Sequence, residues 1–159
     1  MTSRFATSLL AALALATIAA TAEAQTPSLH FGPHLSYNLD IEEMGIGAQL
    51  SLPIARRIEL YPSLDWYLVN NGSLVGLNAD LKFRVDNTGT NWLYVGGGLN
   101  VTNSNPDIGA SRTDTRANLF VGIESRAGYV HPFAELRGMF GERSSAQLAA
   151  GINFTLRSP

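Results

Sequence analysis

The chain contains no cysteine among its 159 residues, so no disulfide holds it and it must be stabilised by packing or by a closed hydrogen-bond network. No lysine- or arginine-rich run occurs, which argues against nucleic acid as a partner. Helix-period patterns are scarce after residue 25, and low-complexity segments, linkers and long-period repeats are absent. No apolar stretch after residue 24 approaches the ~18 residues of a transmembrane helix.

The one uninterrupted apolar run lies at the start. Arg4 gives a short basic region, Leu9 to Ala20 (LLAALALATIAA) is 12 residues long, and Ala22-Glu23-Ala24 supplies the small-x-small pattern that a signal peptidase cuts. We therefore expect residues 1–24 to be a Sec-type signal peptide and 25–159 to be one exported domain. Arg4 and Glu23 leave together, so the formal charge stays at −2.

What the remaining chain does have is alternation, in segments of about ten residues separated by turn residues. Leu29, Phe31, Pro33, Leu35 and Tyr37 alternate with His30, Gly32, His34, Ser36 and Asn38. The same period runs through 44–52, 58–68, 77–85, 92–101, 116–124, 129–140 and 147–156, which makes eight expected strands. Eight sequential antiparallel strands suit an all-β, up-and-down barrel, which leaves no open edge. The connections after even strands read as short, and those after odd strands as longer. The longest is 102–115, polar and containing Asn-Ser-Asn-Pro-Asp.

The function turns on which face lies inside. One face is aliphatic, with aromatics near the strand ends: Phe31, Tyr37, Trp66, Phe83, Phe140 and Phe154. Aromatic girdles at the two interfaces of a bilayer have this placement. The other face carries Gly45, Gly47, Gly96, Gly98, Gly122 and Gly151, as a narrow eight-stranded lumen requires. It also carries both signs of charge: Glu59, Asp65, Asp80, Lys82, Arg84, Arg116, Glu124, Glu135 and Arg137. Enclosed charges need partners, and partners are present. The pattern predicts a transmembrane barrel with a lumen charge network of Asp80, Lys82, Arg84, Glu124, Glu135 and Arg137.

On these patterns the chain resembles the small eight-stranded outer-membrane barrels of Gram-negative bacteria, the class of OmpX and the OmpA membrane domain. Residues 28–156 share the pattern, "HPFAELRGMF" looks like a late strand of such proteins, and "AQLAAGINFTL" is similar to their C-terminal signal. That family usually ends on the aromatic; here Leu156-Arg157-Ser158-Pro159 follows Phe154. The resemblance implies an outer-membrane location, lipid as a surrounding partner, and recognition of the last strand by the barrel assembly machinery.

Candidate chemistry weighs little against this. In a strand rising ~3.3 Å per residue, His131 and Glu135 lie about 13 Å apart and cannot share one metal or proton. His34-x-Ser36 is similar to the His-x-Ser pair of lipid A deacylases, but both have lumen parity, where no acyl chain reaches. His30, His34 and His131 share parity too, and lumen hydrogen bonding is their expected use. The sequence thus predicts no catalytic residue, no metal and no cofactor. It predicts a structural or surface-interaction role, with 102–115 as the segment for a surface ligand. The alternatives are a periplasmic, lipocalin-like carrier of a small apolar ligand and a lipid A-modifying barrel enzyme. Pro33, Pro62 and Pro132 each delete a ladder donor, so local breaks are expected there.

Overall fold

The computed structural model describes residues 28–70, 72–85, 90–125 and 127–156; the expected signal peptide lies outside them. Eight strands follow one another: β1 (Leu29–Asn38), β2 (Glu43–Ala55), β3 (Ile58–Tyr67), β4 (Ser73–Val85), β5 (Asn91–Asn105), β6 (Arg112–Ser125), β7 (Val130–Phe140) and β8 (Ser145–Leu156). Each pairs antiparallel with its sequence neighbour, and β8 returns to β1, so the sheet is a closed barrel. Closure brings Leu29 opposite Leu156, which puts both ends of the described chain on one rim. We call this the terminal rim.

The burial of the two faces is inverted relative to a water-soluble barrel. Along β1, His30, His34, Ser36 and Asn38 are buried whereas Leu35 is 56% exposed. Leu64, Trp66, Leu77, Leu99, Leu119 and Leu136 likewise point outward and are exposed. The interior holds mostly polar and charged groups, among them Lys82 with no exposed surface. Small residues make the room. A Cβ at Gly96 would overlap the Phe120 ring, and one at Gly122 would overlap the Tyr94 ring.

Pro33, Pro62 and Pro132 break the ladder without shifting it. Pro33 pairs in register with Ala48 of β2, while the pairing to β8 runs to Phe31↔Phe154 and resumes at His34↔Gly151. Pro62 behaves alike: it faces Ala79 of β4, and the β2 pairing jumps from Gln49↔Ser63 to Leu52↔Leu60. Pro132 faces Ile152, and its ladder to β6 ends at the adjacent Phe133. In all three strands the missing donor faces the same way around the barrel, toward β8 for β1, β2 for β3 and β6 for β7, and the other side keeps its pairing. The register shift lies at Pro53/Ala55, which the sequence placed in a connection.

Two further expectations need correction. Most of 102–115 is strand, and only 106–111 remains as a loop between β5 and β6. These are the longest strands, and β6 outruns β7: its pairing to β7 ends at Ala117↔Phe140, whereas its pairing to β5 continues to Arg112↔Ser104. Nor are the connections after odd strands consistently longer, because 39–42 and 141–144 match 126–129 in length. The asymmetry between the rims resides in strand length, because a hairpin that pairs its own backbone can extend past the barrel.

Candidate functional site

The interior side chains form two charged clusters separated by aromatic rings. Near the terminal rim, Lys82 of β4 donates to Glu124 Oε2 of β6 at 2.6 Å and lies 3.6 Å from Glu59 Oε2 of β3. Arg84 and Ser51 also reach Glu59. Asn153 Nδ2 donates to Glu124 Oε1 at 2.9 Å, and Gln49 donates to Asn153 at 2.8 Å. The Lys82 ammonium sits 4.3 Å from the Tyr94 ring centre and 4.9 Å from that of Tyr61.

Tyr61, Tyr94 and Phe120 make the separating layer. Their ring centres are 5.7 Å (Tyr61–Phe120) and 6.2 Å (Tyr94–Phe120) apart, and all three are buried. The guanidinium of Arg137 lies over the Phe120 ring, 4.7 Å from its centre. So one cation from each cluster packs against the same layer.

Beyond that layer, Arg137 of β7 donates from Nη1 to Asp80 Oδ2 at 2.5 Å and from Nη2 to Glu135 Oε1 at 2.9 Å. The Tyr94 hydroxyl donates to Glu135 Oε2 at 3.2 Å, and amides supply further donors. Asn118 Nδ2 donates to Asp80 at 3.0 Å and to Asn78 Oδ1 at 2.9 Å, and Asn100 donates to the same Asn78 oxygen at 2.9 Å. Asp65 receives Gln147 at 3.0 Å and Asn78 at 3.2 Å, and lies 2.9 Å from His34 Nε2.

The six residues of the expected charge network therefore fall into both clusters: Lys82, Arg84 and Glu124 in one, Asp80, Glu135 and Arg137 in the other. The sequence did not single out Glu59 or Asp65 for it, although both are central, nor the ring layer. Tyr61, Tyr94 and Phe120 do share the parity of the charged face, and that was the available signal. The six expected girdle aromatics all point outward, from 37% exposed at Tyr37 to 56% at Trp66. Phe31 and Phe154 are cross-strand neighbours by the terminal rim, and Tyr37, Trp66 and Phe140 lie toward the opposite one.

The histidines separate. His30 and His131 meet with ring centres 5.0 Å apart, and His131 is bonded to Ser125 O and Thr155 Oγ1, each at 2.8 Å. His34 belongs instead with Asp65. Among the described residues no three His, Cys, Asp or Glu side chains gather as a metal site would require. Ser36 is buried in the interior, away from the outer surface.

No family model matches the chain, and no curated protein matches it by sequence. Solved structures do. The N-terminal β-barrel domain of Pseudomonas aeruginosa OprF aligns at TM-score 0.71 and 19% identity, over 81% of this chain and 97% of that one. Neisserial surface protein A aligns at TM-score 0.71 and 12% identity, over 84% and 100%. The Yersinia pestis outer-membrane protein Ail, solved in a phospholipid bilayer nanodisc, aligns at TM-score 0.59 and 9% identity, over 82% and 100%. These likenesses identify the fold as that of the small eight-stranded outer-membrane barrels.

Proposed function

We propose that the protein spans the bacterial outer membrane as a barrel with a side-chain-blocked lumen, and that it acts as an envelope or surface-interaction protein without catalysing a reaction. The inversion of its faces carries this reading. A barrel that exposes Leu35, Trp66, Leu99 and Leu119 while burying Lys82, Glu124, Asp80 and Arg137 matches hydrocarbon outside and a polar interior. The two rows of outward aromatics then sit at the headgroup levels. The similar barrels, Neisserial surface protein A and the outer-membrane protein Ail, agree with that location.

The carrier alternative needs an apolar chamber, and the middle of this interior is occupied by Tyr61, Tyr94 and Phe120 between ion pairs. The enzyme alternative needs a nucleophile that meets lipid, and Ser36 faces inward. Eight strands leave no open aqueous channel once the side chains are in place. Function then falls to the rims. The β5–β6 hairpin, with Ile108 almost fully exposed at its tip, is the part that stands clear of the barrel for a surface partner. The strand Ser145–Leu156, ending on alternating apolar residues, is the segment offered to the assembly machinery.

Cell fractionation with gels of unboiled and boiled samples tests this reading. We expect the protein in the outer-membrane fraction, migrating faster when unboiled. Recovery from the periplasm without detergent would refute it.

A further inference from the structure

The cations that reach into the barrel follow one rule, and Arg116 departs from it. Lys82, Arg84 and Arg137 all contact carboxylates. At the mouth opposite the terminal rim, Arg112 is bonded to Asp114 at 2.7 Å and to Glu142 at 3.0 Å. Among the described residues, Arg116, half-buried on β6, is held only by neutral groups. Its Nη1 donates to Ser145 Oγ of β8 at 2.8 Å and its Nη2 to Thr102 Oγ1 of β5 at 2.9 Å, and its Nε has no hydrogen-bond partner among the described residues. A partly desolvated guanidinium is ordinarily matched by a carboxylate or phosphate, whose geometry fits its planar fork.

This guanidinium also borders a space. Arg116 lines a cavity of about 570 Å3 at the mouth, with Tyr67, Thr102, Thr115, Ser144 and Ser145 among the walls. The carboxylates around the cavity are already engaged: Asp114 and Glu142 by Arg112, and Asp40 by the Ala146 N–H at 2.7 Å. Ser145 accepts from Arg116, so its own proton remains free to be donated.

We propose that this mouth is a binding site for a small ligand bearing one oxyanion, a carboxylate or a phosphate monoester, with Arg116 and the Ser145 hydroxyl as its anchor. The hydroxyls of Thr115 and Ser144 suit the neutral polar remainder of such a ligand. Asp40 disfavours a ligand with several negative charges. Arg116 is a binding residue here, pre-positioned by two hydroxyls on two other strands, so little order is lost when an anion arrives.

The test is an NMR titration of the refolded chain in detergent micelles, at constant ionic strength, with inorganic phosphate, acetate and neutral methyl glucoside as probes. We expect saturable shifts at the amides of Thr102, Arg116 and Ser145 with the two anions and none with the neutral sugar. Arg116→Gln should weaken binding on the order of tenfold or more, equivalent to one lost charge-assisted contact. Arg56→Gln, an exposed cation of the β2–β3 turn at the terminal rim and so remote from the cavity, should leave affinity within about twofold. Arg116→Lys keeps the charge without the fork and should lose affinity several-fold, which provides a measurement if the Gln variant does not fold. A parallel titration with phosphatidic acid in the micelle distinguishes the source: shifts from it alone point to a lipid headgroup, shifts from inorganic phosphate to a dissolved ligand. Shifts that do not saturate, or equal losses in the Arg116 and Arg56 variants, would overturn the proposal.

Discussion

The two charged clusters solve the same problem with different chemistry. The cluster by the terminal rim balances its formal charges, with Lys82 and Arg84 against Glu59 and Glu124. The other sets one permanent cation, Arg137, against Asp80 and Glu135, with Asp65 close by, and makes up the deficit with amide donors from Asn78, Asn118 and Gln147. A lone ammonium is a compact point charge, and here it is placed between two carboxylates and two tyrosine rings. A guanidinium bridges two carboxylates with its fork. Among the described residues, the balanced cluster therefore has a second cation in reserve, and the amide-rich one has none.

That difference orders the expected effects of substitution, measured as urea unfolding of the barrel in lipid vesicles. Arg137→Met should be the most damaging, about 3–5 kcal/mol, because it leaves two buried carboxylates with no other cation. Lys82→Met should cost less, about 3 kcal/mol, since Arg84 still neutralises Glu59. Adding Glu124→Gln to it should recover more than half of that loss, because both members of the pair are then uncharged. Asn118→Ala should cost about 2 kcal/mol, removing one amide that serves both Asp80 and Asn78. Arg84→Gln, partly exposed and stacked on Trp92, should be mildest at about 1 kcal/mol. If Lys82→Met proves costlier than Arg137→Met, the reserve-cation account of the comparison fails.

The strands were legible because both faces impose a period of two wherever apolar surroundings lie outside and a packed polar interior lies inside. Where that contrast ends, so does the signal. In Thr113, Asp114 and Thr115 both faces meet water, the residues are uniformly polar, and a paired strand reads as a loop. Membership of the charged interior was legible from parity at Asp80, Lys82, Arg84, Glu124, Glu135 and Arg137. The pairing was not, because Lys82 reaches across the barrel to Glu124 on β6 and Arg137 reaches from β7 to Asp80 on β4, contacts fixed by the diameter of the lumen. Parity marked Tyr61, Tyr94 and Phe120 as inward, but only the closed barrel brings them to one level. The breaks at Pro33, Pro62 and Pro132 followed from the missing donor, whereas their shared direction around the barrel required the register.

The central claim is that hydrocarbon lies outside this barrel and the charged groups lie inside, and the two tryptophans report on it separately. Trp66 is 56% exposed on the outer face, whereas Trp92, half-buried at the terminal-rim end of β5, stacks on His131 and Arg84 on the inner face. The most direct measurement is fluorescence quenching by brominated acyl chains, after refolding into vesicles, in Trp92→Phe and Trp66→Phe. The account predicts strong quenching when only Trp66 remains and little when only Trp92 remains. Equal quenching of the two, or quenching of Trp92 alone, would contradict it.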